Sequence, residues 1–314
     1  MDEVVVSVVC LAYNHEAWIR DALEGFVKQR APFRFEVLVH DDASTDGTAS
    51  VIREYQARYP ELIRAVFQEE NRLSKGIPVS LRYLAPLVRG RYVALCEGDD
   101  CWTDPRKLEK QVAAMEARPD VDICGHCVRR MRDGKVRGYV APRLRDGLVA
   151  PRKVIVGGGS RYVATSSLLC RSDAYLRMTP MREILVNDYV LQLQCAARGG
   201  LYYLSDSMSV YRTGVPGSWN ARNSGRRAAA RATNRAMLRV FDAYTQGRFH
   251  EDVTLRLALY DSDDLVQQRR FGAMLAPSRL RITFRQIGRT TVRLWRECLL
   301  SLLHALRRTH PTSV

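Results

Sequence analysis

Carboxylate side chains follow two apolar runs of the chain, and their spacing indicates a site for a divalent cation. Asp99 and Asp100 come just after the apolar run at residues 92–96. Asp42 follows a second such run, at residues 35–39. Adjacent carboxylates repel one another unless a cation lies between them, and Mg²⁺ and Mn²⁺ prefer oxygen ligands and keep substrate phosphates in their shell. The sequence therefore predicts a metal site for a phosphorylated ligand.

The first acidic segment also has a purely structural interpretation. Thr103 is a suitable helix N-cap, and Asp104 and Pro105 suit the first positions of a helix. Acidic turns of this kind are common without a metal. A second acidic turn at the end of another predicted strand makes a chance arrangement a poorer explanation.

Apolar runs alternate with segments of helical periodicity in the first half of the chain. Strands are predicted at residues 4–11, 35–39, 63–67 and 92–96, and helices at 16–30, 48–60 and 79–88. This alternation predicts a doubly wound, mostly parallel α/β sheet. Ligands bind at the carboxyl edge of such sheets, where both acidic turns are expected to lie.

Three segments together resemble the family 2 glycosyltransferases of the GT-A type. They are residues 6–14, 36–48 and 97–105, in the order and spacing of that family. The resemblance implies a Rossmann-like, mostly parallel sheet with flanking helices over residues 1–219. A basic, mainly helical C-terminal region is expected over residues 220–314.

The resemblance implies a nucleotide-sugar site in the turns that follow the first, second and fourth predicted strands. Its residues are Ala12, Tyr13, Asn14, Asp42 and Asp99. Tyr13 would lie beside the base, Asp42 would accept a hydrogen bond from it, and Asp99 would contact the ribose. Asp100 would hold the Mg²⁺ or Mn²⁺ ion that bridges the diphosphate. Leu11 leaves the choice between uridine and thymidine carriers open.

Asp188 stands where the family has its general base, at the start of the helix under the acceptor site. An inverting transfer needs one such carboxylate to take the proton of the acceptor nucleophile. Asp188 also suits a helix N-cap, and the two roles are compatible. Thr165 and Ser166, in a hydroxyl-rich segment, and Trp219 are predicted on the acceptor side; a polar strand start and a packing tryptophan are the alternatives.

The chain departs from the family pattern at Gly214. Relatives often have Tyr-Arg, one further residue and then a histidine that joins the metal or the diphosphate. Here that position is glycine. Arg212 is therefore predicted to take over part of the phosphate contact as a bidentate donor.

Cys124 and Cys127 form a CxxC motif, which redox enzymes and metal sites also use. Their flanking residues predict the middle of a strand, without the helix N-terminus that activates a redox cysteine. No second pair of ligands at zinc-site spacing is evident. We therefore expect cysteines of a core or edge strand. The eight cysteines lack a disulfide spacing and no signal peptide opens the chain, so reduced thiols and a cytoplasmic location are expected.

The formal net charge of +15 implies an acidic partner. Residues 220–314 carry about +11 of it. In residues 281–308 arginines lie opposite an apolar side, a pattern typical of helices at a membrane surface. Peripheral contact with the inner face of the membrane is thus expected, with a solvated helical cap or a homodimer contact as alternatives. No run is long enough to cross a bilayer.

The leading hypothesis is an inverting, metal-dependent glycosyltransferase. Its donor would be a UDP- or dTDP-sugar, and its acceptor a glycan, a lipid-linked saccharide or another glycoconjugate. A sugar-nucleotide nucleotidyltransferase is the enzymatic alternative, but the first turn lacks a glycine-rich phosphate loop. A non-catalytic basic adaptor is the other alternative. Nucleic acid is not expected as a partner, because residues 222–239 have almost no aromatic side chains among their arginines.

Overall fold

The computed structural model describes residues 3–140, 145–159, 163–184, 188–216 and 227–267. It divides the chain into two compact units, and the second begins at Ala228. The boundary predicted after residue 219 falls in segment 217–226, outside the described residues, and stays a prediction.

The N-terminal half of the first unit is a parallel sheet, as the apolar runs predict. Its strands are β1 (Val4–Ala12), β2 (Arg34–Asp41), β3 (Ile63–Phe67) and β4 (Tyr92–Leu95). They lie in the order β3-β2-β1-β4, and every neighbouring pair is parallel. The chain therefore leaves all four strands at the same edge of the sheet.

The second half extends the same sheet with mixed pairing. Its strands are β5 (Cys101–Trp102), β6 (Ile123–Arg132), β7 (Lys135–Val140), β8 (Gly147–Val149), β9 (Leu169–Arg171) and β10 (Leu201–Arg212). The order continues from β4 as β9-β6-β10-β5, with β7 on β6 and β8 on β10. Only β6 and β10 pair in parallel in this described half. The mostly parallel prediction thus applies to the first four strands.

Helices cover both faces of the sheet. They are α1 (Glu16–Val27), α2 (Thr48–Arg58), α3 (Lys107–Glu116), α4 (Pro151–Gly157), α5 (Ser172–Leu176), α6 (Pro180–Ile184) and α7 (Asp188–Ala196). Val8 of β1 belongs to a core layer with Phe26 of α1. Its neighbour Val9 belongs to the opposite layer with Leu191 of α7. Successive side chains of a strand point to opposite faces, so β1 is apolar throughout.

Three segments differ from the sequence prediction. Residues 79–88 form a π-helical turn and a 3₁₀ turn rather than one helix. Residues 151–157 form α4: the glycines and prolines of this basic stretch predict a loop, but Pro151 occupies a first helical position. Strand β10 continues to Arg212, although the glycines and proline that follow Ser209 predict a loop there. The pairing of β10 with β6 is irregular between Leu204 and Ser209, so the strand accommodates the polar residues there and continues beyond them.

The CxxC motif lies inside β6, as its flanking residues predict. Cys124 and Cys127 are both buried and unoxidised. The hairpin predicted at Asp133 and Gly134 joins β6 to β7, and both residues have positive φ angles, of 51° and 69°. This geometry is that of a two-residue hairpin turn.

Two helices make up the described part of the second unit, α8 (Arg227–Tyr244) and α9 (His250–Gln267). Arg235 Nη2 lies 2.6 Å from Asp264 and 3.1 Å from Asp261, so part of the basic charge of α8 is paired within this unit. Among the helices that the structure describes, none has the length and apolar character that a bilayer crossing requires. The predicted basic helix at residues 281–308 lies outside the described residues.

Candidate functional site

Four carboxylates lie close to one tyrosine, and three of them come from the carboxyl edge of the parallel strands. Glu97, Asp99 and Asp100 come from the turn after β4, and Asp188 begins α7. The phenol of Tyr211 on β10 lies among them: burial, together with the negative charge of all four acids, raises its pKa. The structure therefore brings the predicted metal ligand and the predicted base to one place.

A glycine allows the acidic turn to pack closely against the turn after β1. Gly98 N donates a hydrogen bond to Leu11 O at 2.9 Å. A Cβ atom at position 98 would lie 2.9 Å from His15 Nδ1 and 2.9 Å from Ile19 Cδ1. Only a residue without a side chain fits this approach, which fixes Asp99 and Asp100 relative to the first turn.

Asp100 has one carboxylate oxygen engaged and one without a donor. The residue is 1% exposed. Its Oδ1 accepts a hydrogen bond from the backbone N–H of Arg212 at 2.8 Å, while Oδ2 is buried without a hydrogen-bond partner. Burial and the charge of Asp99 raise the pKa of Asp100 well above its ordinary value. A buried carboxylate oxygen among other acids needs a compensating positive charge, which a cation would supply.

Arg212 fixes the acidic turn from the end of β10. Its Nη1 donates a hydrogen bond to the backbone oxygen of Asp99 at 3.0 Å, and its Nη2 pairs with Asp21. His15 Nε2 approaches the Asp99 carboxylate from the other side, at 4.0 Å. Arg212 thus lies beside the predicted diphosphate position, with its guanidinium group committed to orienting the turn.

The turns after β1 and β2 are joined to each other. Asp42 N donates to Ala12 O at 3.0 Å, and Thr45 N donates to Asn14 Oδ1 at 2.8 Å. Asn14 adopts a positive φ angle of 55°, which asparagine tolerates better than most residues. Tyr13, partly buried, lies between these contacts in the chain. The structure places all four of these predicted nucleotide residues on adjacent turns.

Asp42 holds a loop of the predicted base pocket. Its Oδ1 and Oδ2 accept hydrogen bonds from the backbone N–H groups of Arg72 and Leu73, at 2.9 and 3.0 Å. Asp42 therefore orders the loop after β3 next to Ala12. Its predicted hydrogen bond with the base stays a prediction.

Asp188, the predicted base, has a raised pKa. Burial raises its pKa to about 6, although hydrogen bonds from the Tyr189 backbone and from Thr165 oppose the shift. Thr165 Oγ1 donates to Asp188 Oδ2 at 3.4 Å. A carboxylate with a pKa just below neutrality is ionised at pH 7 and still binds a proton well, which suits general base catalysis.

The predicted acceptor-side residues are placed differently from one another. Thr165 reaches Asp188, but Ser166 is fully buried, and its hydroxyl lies 3.2 Å from that of Ser209. The 3₁₀ turn at Thr165–Ser167 directs the Ser166 side chain into the core, and its predicted place on the acceptor side stays a prediction. Trp219 lies outside the described residues.

Glu97, Asp99, Asp100 and Asp188, here called the acid cluster, suit a cation that is held by few protein ligands. No group of three or more His, Cys, Asp or Glu side chains with metal-binding geometry occurs in the described ranges. A Mg²⁺ or Mn²⁺ ion held by one or two carboxylates and by substrate phosphates does not need such a group. Asp100, with its unpaired buried oxygen, is the residue that fits.

A separate cavity of about 460 Å³ opens beside the turn after β1. Its lining residues are Asn14, Glu16, Ala17, Trp18, Asp46 and Pro216. None of the four clustered acids lines it. We assign the site to the acid cluster because uncompensated charge is concentrated there.

The family of the chain follows from comparison with known proteins. Residues 7–172, more than half of the chain, match the model of glycosyl transferase family 2. The chain belongs to this family. The matched region contains most of β1, all of β2 to β4, both acidic turns and Thr165.

This glycosyltransferase family member has relatives of similar sequence and of similar fold. The uncharacterized protein Rv1520 of Mycobacterium tuberculosis is 35% identical over 229 residues, which are 71% of this chain and 62% of that protein. The chain thus spans about three fifths of the length of this curated relative. S. aureus TarS 1-349 in complex with UDP-GlcNAc superposes with a TM-score of 0.59 at 15% identity, covering 91% of this chain and 80% of that one.

A second structure supports the same fold. The mannosyltransferase PcManGT from Pyrobaculum calidifontis, in complex with GDP-Man and Mn²⁺, has a TM-score of 0.52 at 19% identity. It covers 96% of this chain and 80% of that one. The predicted GT-A type fold is thereby confirmed for this chain.

Polar residues outside the sequence-predicted site lie in the acidic turn and on α3. Glu97 is an exposed residue of the acidic turn, and the negative charges of Asp99 and Asp188 raise its pKa. Its position in the acidic turn was a usable signal. Lys107 and Gln111 on α3 are fully buried. Their polar side chains suggested an outward orientation, so the sequence offered no signal for them.

Proposed function

We propose that this chain transfers a glycosyl group from a UDP- or dTDP-sugar to an acceptor hydroxyl, with inversion at the anomeric carbon and with Mg²⁺ or Mn²⁺. One observation carries the proposal. The buried, unpaired Oδ2 of Asp100 and the carboxylate of Asp188, whose pKa is raised to about 6, lie around the same phenol, that of Tyr211. The chain thus has an oxygen suited to a cation and a carboxylate suited to a proton beside one tyrosine.

Asp100 would hold the cation on the donor side, and the resemblance to the family assigns the ribose contact to Asp99. When bound, the cation would stabilise the negative charge that develops on the departing diphosphate. Arg212 orients this side of the site through the backbone oxygen of Asp99 and the Oδ1 of Asp100. Oδ2 of Asp100 is left for the ion.

Asp188 would act on the acceptor side as general base. Its carboxylate takes the proton of the acceptor hydroxyl, whose oxygen forms the new bond to the anomeric carbon. The bond from that carbon to the diphosphate oxygen breaks on the opposite face, and the nucleoside diphosphate leaves with the electron pair. One base and one displacement give the inverted anomer.

The proposed acceptor is a glycan, a lipid-linked saccharide or another glycoconjugate, reached at an anionic membrane surface through residues 281–308. The basic and apolar composition of that segment supports this part of the proposal. The full chain is expected to co-sediment with liposomes that contain anionic lipid, and a chain without residues 281–314 is expected to remain in the supernatant. Equal sedimentation of the two would contradict the membrane contact.

A thermal-shift panel tests the donor and the metal together. UDP-GlcNAc, UDP-glucose, a dTDP-sugar and GDP-mannose are each added with Mn²⁺, with Mg²⁺ or with EDTA. A donor at 100 times its Kd stabilises the native state by about 2.7 kcal/mol, a shift in Tm of roughly 5–10 °C. We expect such a shift with a UDP- or dTDP-sugar, with metal only.

Two further outcomes of the thermal-shift panel would point to the alternative functions. A nucleotidyltransferase would respond to UTP or dTTP with a sugar 1-phosphate rather than to the nucleotide sugars. A basic adaptor would respond to no nucleotide. Either pattern would contradict the proposed transfer.

A further inference from the structure

A buried polar cluster lies under the 3₁₀ turn Thr165–Ser167. It consists of Trp102 on β5 and of Lys107 and Gln111 on α3. Lys107 and Gln111 are fully buried, and Trp102 is 4% exposed. None of the three side chains carries a role in the chemistry described above.

The cluster binds the turn through two consecutive carbonyl groups. Trp102 Nε1 donates a hydrogen bond to Ser166 O at 2.9 Å, and Gln111 Nε2 donates to Ser167 O at 2.8 Å. Two donors on adjacent carbonyls fix the orientation of the turn as well as its position. From the same turn, Thr165 Oγ1 donates to Asp188.

Gln111 is itself held in one orientation. Its Oε1 accepts a hydrogen bond from Lys107 Nζ at 2.6 Å, which directs Nε2 toward Ser167. The Lys107 ammonium group lies 3.9 Å from the centre of the Trp102 ring, a cation–π distance. Burial lowers the pKa of Lys107 to about 7, so the lysine costs stability that an apolar side chain would not. A buried lysine that lowers stability is better explained by a role in positioning other groups than by packing.

We propose that Gln111, oriented by Lys107, is a positioning residue that sets the Thr165–Ser167 turn and, through Thr165, the carboxyl group of Asp188. Because Trp102 follows Asp100 by two residues, the same cluster connects the metal side of the site to the base. The inference rests on the proposed function, since it assigns the role of base to Asp188.

The charged and titratable groups around Asp188 come from several elements. Glu97 faces it from the turn after β4 and Tyr211 from β10, while Thr165 donates to it from the 3₁₀ turn. The hydrogen bond from Thr165 lowers the pKa of Asp188 against the effect of burial. If the turn shifts and this bond is lost, the pKa rises further, and the acid limb of the pH–rate profile moves to higher pH.

Gln111→Glu tests the proposal, with Gln29→Glu as its matched control. The glutamate at 111 can still accept from Lys107 but cannot donate to Ser167 O. Gln29 is a buried glutamine that donates to Gly25 O and Asp104 O and accepts from Leu108 N, away from the turn. Each substitution thus removes amide donors to backbone carbonyls and keeps an acceptor.

The readouts are UDP release from UDP-GlcNAc with Mn²⁺ as a function of pH, and amide hydrogen exchange of the peptide that spans residues 163–170. If the panel favours another nucleotide sugar, that donor replaces UDP-GlcNAc. For Gln111→Glu we expect a fall in kcat of about 10- to 100-fold with KM for the donor unchanged, as for a small misplacement of a reacting group. We also expect an acid limb at higher pH and faster exchange in 163–170. Gln29→Glu should lower Tm without either change.

Faster exchange and a shifted acid limb in Gln111→Glu alone would support positioning. An unchanged exchange rate and pH profile would overturn it and leave Gln111 a packing residue. If Gln111→Glu does not fold, Lys107→Met takes its place: a folded Lys107→Met protein with wild-type exchange and pH profile would equally overturn the proposal. Undiminished activity in Asp188→Asn would contradict the proposed function instead, so the two failures are distinguishable.

Discussion

Replacing Asp188 with asparagine is expected to lower glycosyl transfer by about 100- to 10,000-fold, the usual contribution of a general base. The amide has the size of the carboxylate but does not take up a proton near neutral pH. Asparagine is also an effective helix N-cap, so α7 should begin where it does now. Binding of the nucleotide sugar should therefore stay at the wild-type level while the rate falls.

The rate of nucleoside diphosphate release and the thermal shift by the donor, measured on the same preparation, separate these two effects. Asp173→Asn is the control, because Asp173 lies in the first turn of α5 and pairs only loosely with Arg177, at 3.7 Å. This control should retain the wild-type rate. Transfer that survives in Asp188→Asn would show that another group takes the proton.

The role of Asp188 as base also predicts how the transfer rate changes with pH. Asp188 acts as base only when it is deprotonated, and its pKa is raised to about 6 by burial. The rate should therefore rise with pH through about 6 and level off above it. The residual rate of Asp188→Asn should not show this rise with pH. A profile without an inflection in that range would contradict the assignment.

Replacing Asp100 with asparagine is expected to abolish metal-dependent binding of the donor and to lower transfer by about 1,000-fold, the effect of losing roughly 4 kcal/mol of charge stabilisation. The asparagine oxygen can still accept from Arg212 N, so the fold of the turn is kept. An NH₂ group then replaces Oδ2, and it cannot bind a cation.

The same variant should melt at a higher temperature than the wild type when no metal is present. Burial and the charge of Asp99 raise the pKa of Asp100 well above its ordinary value, so its ionised form destabilises the folded protein at neutral pH. Removing that charge gains stability at the expense of function, a trade-off typical of active sites.

Thermal shifts with and without Mn²⁺ check both effects. Asp104→Asn is the control, because the Asp104 carboxylate pairs with Lys110 at 2.8 Å and lies outside the acid cluster. It should lose a little stability and keep the full metal-dependent shift. A metal-dependent shift of wild-type size in Asp100→Asn would contradict the role of Asp100.

The sequence predicted the site best where strand ends determine it. Asp42 and Asp100 follow parallel strands, and parallel strands end at the same sheet edge, so the placement of both at that edge needed no tertiary information. Asp188 lies far along the chain, and only the resemblance to a family connected it to them. The structure places it near Glu97 and Tyr211, contacts that no local pattern encodes.

The side chains under the Thr165–Ser167 turn could not be predicted, because they are buried polar groups. Lys107 and Gln111 belong to residue types that mostly lie at the surface. Their buried polar groups pair with each other, with the Trp102 ring and with a carbonyl group of a distant turn. Ser166 resembles its neighbour Thr165 in sequence, yet the 3₁₀ geometry sends one side chain into the core and the other toward Asp188. The length of β10 depends on an irregular register, which hydrophobic periodicity does not reveal.

Anomalous diffraction from Mn²⁺ in crystals soaked with UDP tests the central claim most directly. The claim is that the acids at this sheet edge hold one divalent ion against the diphosphate of the donor. We predict a single strong peak within coordination distance of Asp100 Oδ2 and of the diphosphate oxygens, on the side of the cleft that faces Asp188. A diphosphate bound without a peak at Asp100, or a peak away from the acid cluster, would contradict the account.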